Sequence, residues 1–424
     1  MVALNELKRL NNGLFLSASV ESCHAHEGSN LQKIDSGVCA RDARLMSLDV
    51  LRGLTIAGMI LVTDPGTYSA VYWPLLHAQW NGATPTDMIF PCFLFMSGVA
   101  ITLSFAARIE RGDNRGALAR HILVRCVVLF VIGLLVNGFP DYDLHTVRIP
   151  GILQRIAICY LCGGLIYLWC RGDGRFRGRG SWMIGALTAC LLGGYWAVLK
   201  LVPVPGFGVG RLDSVGNVAA YVDRAVIGTR HMWAYGTTPG YGVTYDPEGI
   251  LSTLTALATL LIGVLAGEWM RGRRSDEQKA LGLALAGLAL VLAGWFLQPL
   301  LPINKKILTS TFALFSSGVS LLAFCVCFVM LDMKRWRWWA RPALIFGTNA
   351  IFAFVLSNVI TTLTDRIHVR AGGADLSLHA WGYRYGFASW MQPIHASLVY
   401  AIAIVCLNMG IVGLLYRKRI FLRI

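Results

Sequence analysis

An imidazole and a carboxylate stand close together in Leu76-His77-Ala78-Gln79-Trp80-Asn81-Gly82-Ala83-Thr84-Pro85-Thr86-Asp87, at the mouth of an apolar run. A carboxylate that accepts the Nδ1–H of an imidazole fixes its tautomer and stabilises the imidazolium. Nε2 is then left to take a proton from a nucleophile. Acyl transfer to an amine needs that arrangement. The competing reading gives Asp87, or Thr86 before it, to capping of the following helix and leaves His77 as a solvated loop residue. Spacing alone does not separate the two.

Such residues have to be positioned by membrane helices. The 424-residue chain is 55% hydrophobic and only 14% charged, whereas a water-soluble domain carries nearer a quarter of its residues as Asp, Glu, Lys or Arg. Apolar runs fall at about 49–67, 87–107, 121–138, 151–170, 182–202, 251–270, 280–300, 310–331, 340–362 and 395–416. Each is long enough to cross roughly 30 Å of hydrocarbon at about 1.5 Å of rise per residue. They predict an all-α, polytopic transmembrane bundle of about ten helices, or eleven. Runs such as 280–294 and 311–331 are apolar on every face, which speaks against a β-barrel.

The formal charge of +15 could suggest nucleic acid, but the cations sit in short clusters beside the apolar runs. Arg108, Arg111, Arg115 and Arg120 form one cluster; Arg171, Arg175, Arg177 and Arg179 a second; Arg271, Arg273, Arg274 and Lys279 a third. Lys334, Arg335, Arg337 and Arg341 form the fourth, and Arg417, Lys418, Arg419 and Arg423 follow the last run. With ten spans all five fall on one side. By the positive-inside rule both termini are then cytoplasmic, in a multi-pass protein of the cytoplasmic (inner) membrane that meets lipid and no nucleic acid. The loops 68–86, 139–150, 203–250, 301–309 and 363–394 hold most of the outer Trp, Tyr, His, Asn and acidic residues. Function therefore faces outward.

Residues 1–45 are polar and Ser/Asn-rich and read as a poorly ordered extension; 46–424 read as the transmembrane domain. Met46 is a second candidate start. Cys23-His24-Ala25-His26 lacks a second ligand cluster, so no metal is expected. The remaining cysteines, Cys39 apart, lie in or beside apolar runs, so no outer disulfide is expected, and Cys159-x-x-Cys162 reads as helix packing. A transporter of a small molecule or saccharide is the main rival to an enzyme, although broken helices in matching halves are not evident.

The run Ser47-Leu48-Asp49-Val50-Leu51-Arg52-Gly53-Leu54, then His77-Ala-x-Trp80-Asn81-Gly82 with Asp87 and Phe90-Pro91-x-Phe93-x-Phe95, resembles the catalytic region of the heparan-α-glucosaminide N-acetyltransferases and their bacterial relatives. Arg148-Ile149-Pro150-Gly151-Ile152-Leu153-Gln154-Arg155, Tyr245-Asp246-Pro247-Glu248-Gly249, Pro302-Ile303-Asn304-Lys305-Lys306 and Phe346-Gly347-x-Asn349-Ala350 extend the likeness to the end of the chain. Thr63-Asp64 departs from it, since such relatives often have asparagine after the first span. The resemblance implies a single helical bundle that moves acetyl from cytosolic acetyl-CoA to the amine of a glucosamine-type sugar across the membrane, with His77 implicated in transfer. Acetyl-CoA would be the donor substrate, no cofactor would be bound, and a homodimer is compatible with the fold.

Charge in hydrocarbon is costly and tends to line a cavity or pair internally. On that footing Arg52 either pairs with Asp49 or meets the phosphates of CoA, and Gln154 and Arg155 are candidates to line a cavity, where Arg155 could bind a carbonyl or a carboxylate. Asn349 binds a ligand or bridges helices. Asp246-Pro247-Glu248 is expected to open the sixth span as a cap, or to hold the cationic amine of the sugar. Asn304, Lys305 and Lys306 form an outer cation cluster, either a simple surface patch or a site for acidic saccharide groups. Trp73, Trp80, Trp381 and Trp390 are belt residues or sugar-stacking platforms; Asn81 enters through the motif.

Overall fold

Apolar segments in lipid must satisfy their backbone hydrogen bonds internally, and here they do so as α-helices. The computed structural model describes residues 45–172 and 179–421; Cys23-His24-Ala25-His26, nearly all of the polar extension, Arg175, Arg177 and Arg423 lie outside them. In chain order the helices are α1 (Met46–Thr63), α2 (Ile89–Glu110), α3 (Arg115–Gly138), α4 (Ile152–Gly172), α5 (Gly180–Leu201), α6 (Val218–Val226), α7 (Thr253–Arg271), α8 (Asp276–Phe296), α9 (Ser310–Phe328), α10 (Ala340–Thr348), α11 (Ala350–Arg366), α12 (Leu378–Gly386) and α13 (Pro393–Arg417). Among the described residues strands are confined to three two-stranded antiparallel hairpins in the loops: β1 (Pro203–Val204) with β2 (Gly208–Val209), β3 (Thr237–Thr238) with β4 (Gly242–Val243), and β5 (His368–Ala371) with β6 (Ala374–Ser377). The fold is an all-α polytopic bundle, as expected.

Among the described residues nine helices are long and apolar enough to cross a membrane, and the pair α10–α11 brings the number to ten. That ninth span is not the straight run expected over 340–362. It bends by 85° at Asn349, whose φ of −125° and ψ of 41° leave the helical region. The reason is packing against α1. A Cβ on Gly53 would lie 1.7 Å from the carbonyl oxygen of Ala343, and one on Gly347 would lie 2.0 Å from that of Asp49. Backbones this close require small residues, which lets α10 lie against α1 while α11 turns away at a steep angle.

α2 and α7 are the most buried spans, and α3, α5, α8 and α13 present most of their surface outward. α2 and α7 also meet through glycine: a Cβ on Gly98 would stand 2.0 Å from the carbonyl oxygen of Leu260, and one on Gly263 2.0 Å from that of Phe95. Around them pack Leu94, Ile101, Phe105, Tyr160, Leu260, Val264 and Phe312. At one end of the bundle Arg271 meets Glu110, Arg171 meets Glu268, and the Ser47 amide donates to Asp332. The described residues of the first four basic clusters thus share an end with the start of α1. The other end carries the long loops.

Candidate active site

Asp87 owes its place to Thr84-Pro85-Thr86, a short helical turn that starts at Pro85 just before α2. The two readings of Asp87 prove compatible, because its two oxygens divide the work. Oδ2 accepts from the Thr84 amide at 2.9 Å, the Thr84 hydroxyl at 3.0 Å and the Ala78 amide at 3.1 Å. Oδ1 lies 2.7 Å from Nδ1 of His77. Asp87 is fully buried, whereas the His77 side chain is 46% exposed. A carboxylate facing Nδ1 makes that nitrogen the donor, so the neutral imidazole carries its lone pair on Nε2.

The loop is fixed from below by a second one. The amide of Gly82, at φ +99°, donates to the Ile303 carbonyl at 2.7 Å, and Nδ2 of Asn304 donates to Oδ1 of Asn81 at 3.1 Å. Asn304 itself is buried and accepts the Ile307 amide. That docking delivers Lys305 inward: its Nζ stands 3.0 Å from Nδ1 and 3.4 Å from Nε2 of His77, and 3.4 Å from Oδ1 of Asp87. Burial lowers the proton affinity of His77; the Asp87 hydrogen bond opposes this and the charge of Lys305 reinforces it, leaving the pKa below the ordinary histidine value. Burial likewise lowers the pKa of Lys305 against the pull of Asp87 and Glu248.

Asp246 does not cap a helix, since α7 begins only at Thr253. Its carboxylate turns to Arg148, which donates at 3.0 Å from Nε and 2.5 Å from Nη2, and it also takes the amides of Trp233 and Glu248 at 2.8 Å each. Arg148 meets Glu248 as well. Burial would raise Glu248, but Arg148, Arg155 and Lys305 outweigh it and hold its carboxyl below the usual range. Both acids are therefore spoken for by a guanidinium.

Arg155 is 2% exposed, inside the bundle. Its Nη2 donates to the Gly249 carbonyl at 2.8 Å and to the Ser252 hydroxyl at 2.5 Å, while Nε and Nη1 have no hydrogen-bond partner among the described residues. The ring of Phe90, one turn beyond Asp87, lies 5.9 Å from its guanidinium carbon. Gln154 fills a slot between Gly133 and Gly151, with its Nε2 also lacking a described partner.

Other sequence candidates lie apart from His77 or serve the scaffold. Trp80 donates from Nε1 to the Leu212 carbonyl at 2.9 Å and meets Tyr245 edge-on. Arg52, in the half of α1 nearer the basic end, faces Asp49 at 3.3 Å. Asn349 sits at the α10–α11 break and donates to the Ile420 carbonyl. Asp64, at the departure noted above, is buried; it accepts the Thr361 hydroxyl at 2.6 Å, and desolvation raises its pKa despite that bond and nearby His379. Sequence reasoning missed Asp223, a buried acid on α6. The only signal was a short amphipathic stretch inside a loop otherwise rich in glycine.

Residues 44–192, which hold His77, Asp87, Arg148, Gln154 and Arg155, match the family model described as "Heparan-alpha-glucosaminide N-acetyltransferase, catalytic". The human heparan-alpha-glucosaminide N-acetyltransferase is 28% identical over 354 residues, covering 74% of this chain and 52% of its own length. The mouse protein of the same name is 29% identical over 360 residues, covering 75% and 54%. Over residues 44–192 the chain is similar to this family. It spans about half the length of the curated relatives it matches. Asp223, Asp246, Glu248, Lys305 and Asn349 lie beyond the matched catalytic region, so the polar network around the dyad is built from both sides of that boundary.

Proposed function

We propose that this chain is a membrane N-acetyltransferase that moves acetyl from cytosolic acetyl-CoA to the amine of a glucosamine-type sugar at the outer end of the bundle. The observation that carries the reading is the 2.7 Å contact between His77 Nδ1 and a buried Asp87 oxygen. With Nδ1–H directed at Asp87, His77 takes the amine proton on Nε2 as the amine nitrogen attacks the thioester carbonyl. The C–N bond forms, the C–S bond breaks, and CoA leaves as thiolate. The open Nε and Nη1 of Arg155 and the ammonium of Lys305 are donors suited to the developing oxyanion. Both termini are cytoplasmic in this reading. The donor's phosphates enter from the basic end, where Arg52 stands.

The same dyad would serve an acyl-imidazole route, with Nε2 as the nucleophile. The experiment is acetylation of glucosamine by purified protein with labelled acetyl-CoA, set beside His77→Ala. Turnover that needs acetyl-CoA and is lost in the variant supports the transferase. Saccharide movement without acetylation would support a transporter instead, and label retained on His77 without acceptor would select the covalent route.

A further inference from the structure

Asp223 lies outside the dyad, yet the segment that anchors Arg155 is built on it. Its Oδ1 accepts the Ile250 amide at 2.8 Å. Its Oδ2 lies so close to Gly249 that a Cβ there would sit 1.8 Å from it, against 2.6 Å for Oδ1. Only glycine permits that approach. The adjoining carbonyl of Gly249 and the hydroxyl of Ser252 are the two acceptors of Arg155 Nη2. Arg224, the neighbouring cation on α6, is directed elsewhere, donating to the carbonyls of Thr244 and Val215 at 2.7 Å each.

We propose that Asp223 is a positioning residue for acyl transfer: seated on Gly249 and Ile250, its carboxylate fixes the 246–252 segment, whose Gly249 carbonyl and Ser252 hydroxyl hold Arg155, and adds to the negative charge that Glu248 presents to Arg155. The proposal rests on the transferase reading given to Arg155. The charged and titratable groups that face Asp223 are Asp246 from the loop before α7, Arg155 from α4, Tyr195 from α5 and Arg224 from its own helix. Burial raises the Asp223 pKa, the Ile250 amide opposes it, Asp246 adds to it, and Arg155 and Arg224 lower it. The result is a pKa of about 7. The Asp223 charge is therefore present above about pH 7 and absent below it.

Asp223→Asn keeps an oxygen for the Ile250 amide and mimics the protonated state at every pH. Its kcat/KM should fall about tenfold below wild type at about pH 8 and converge with it to about twofold at about pH 6. A purely structural loss would give the same ratio at both. In parallel, the infrared carbonyl band of a protonated carboxyl should appear in wild type below about pH 7 and be missing from Asp223→Asn. If Asp223→Asn does not fold, Gly249→Ala carries the kinetic test, and its pH step should flatten in the same way. A flat ratio or an absent band in a chain that acetylates overturns the assignment of Asp223 alone. A band that titrates in a chain that never acetylates overturns the transferase reading instead.

Discussion

Replacing Asp87 by Asn tests the dyad most sharply, because the structure dictates how the amide must turn. Three donors converge on Oδ2: the amides of Thr84 and Ala78 and the Thr84 hydroxyl. An asparagine oxygen has to take that side, since an NH2 there would face two backbone N–H groups. Nδ2 is then forced toward His77 and donates to Nδ1, which places the ring proton on Nε2 and removes the base. The turn keeps its cap, so folding should be nearly intact. The rate should fall by about 10²–10⁴, the range general-base catalysis contributes, or roughly 3–5 kcal/mol in the barrier. Initial rates at saturating acetyl-CoA, with donor binding measured separately, make the comparison. A variant within about tenfold of wild type would refute the tautomer argument. A loss matched by loss of folded protein would return Asp87 to capping alone.

Below the step near pH 7 assigned to Asp223, the acid limb that belongs to His77 should lie below the ordinary histidine pKa of about 6.5, because the imidazole must be neutral to act and burial with Lys305 lowers its pKa. Lys305→Met removes the repelling charge and should move that limb to higher pH; an unmoved limb in a rate–pH series would detach Lys305 from His77. Arg148→Ala leaves Asp246 and Glu248 buried without their cation and should cost about 3 kcal/mol, seen as a lower unfolding midpoint in detergent; an unchanged midpoint would show the pair to be dispensable. A cysteine placed at position 77 should react with an impermeant label from outside and one at position 418 only after permeabilisation, and the reverse pattern would invert the topology.

The spans were legible in the sequence because the hydrocarbon thickness sets their length and every backbone group must be satisfied within a helix, a local constraint. The placing of His77 and Asp87 as candidates followed from residue type and from the resemblance, and the two readings of Asp87 could not be separated because spacing says nothing about which oxygen faces which donor. Tertiary structure shows Oδ1 facing His77 and Oδ2 taking the amides of Thr84 and Ala78. It also turned Asp246 from a supposed cap into the partner of Arg148, an assignment that depends on a loop 98 residues away in sequence. The bend at Asn349 was equally hidden. Residues 340–362 are apolar enough on average to read as one span, and the close glycine contacts of α10 with α1 appear only in the folded chain. Asp223 marks the limit most clearly: beyond a short amphipathic stretch nothing local distinguishes it from a solvated loop acid, and its burial, its seat on Gly249 and its pKa of about 7 exist only once α4, α6 and the 246–252 segment come together.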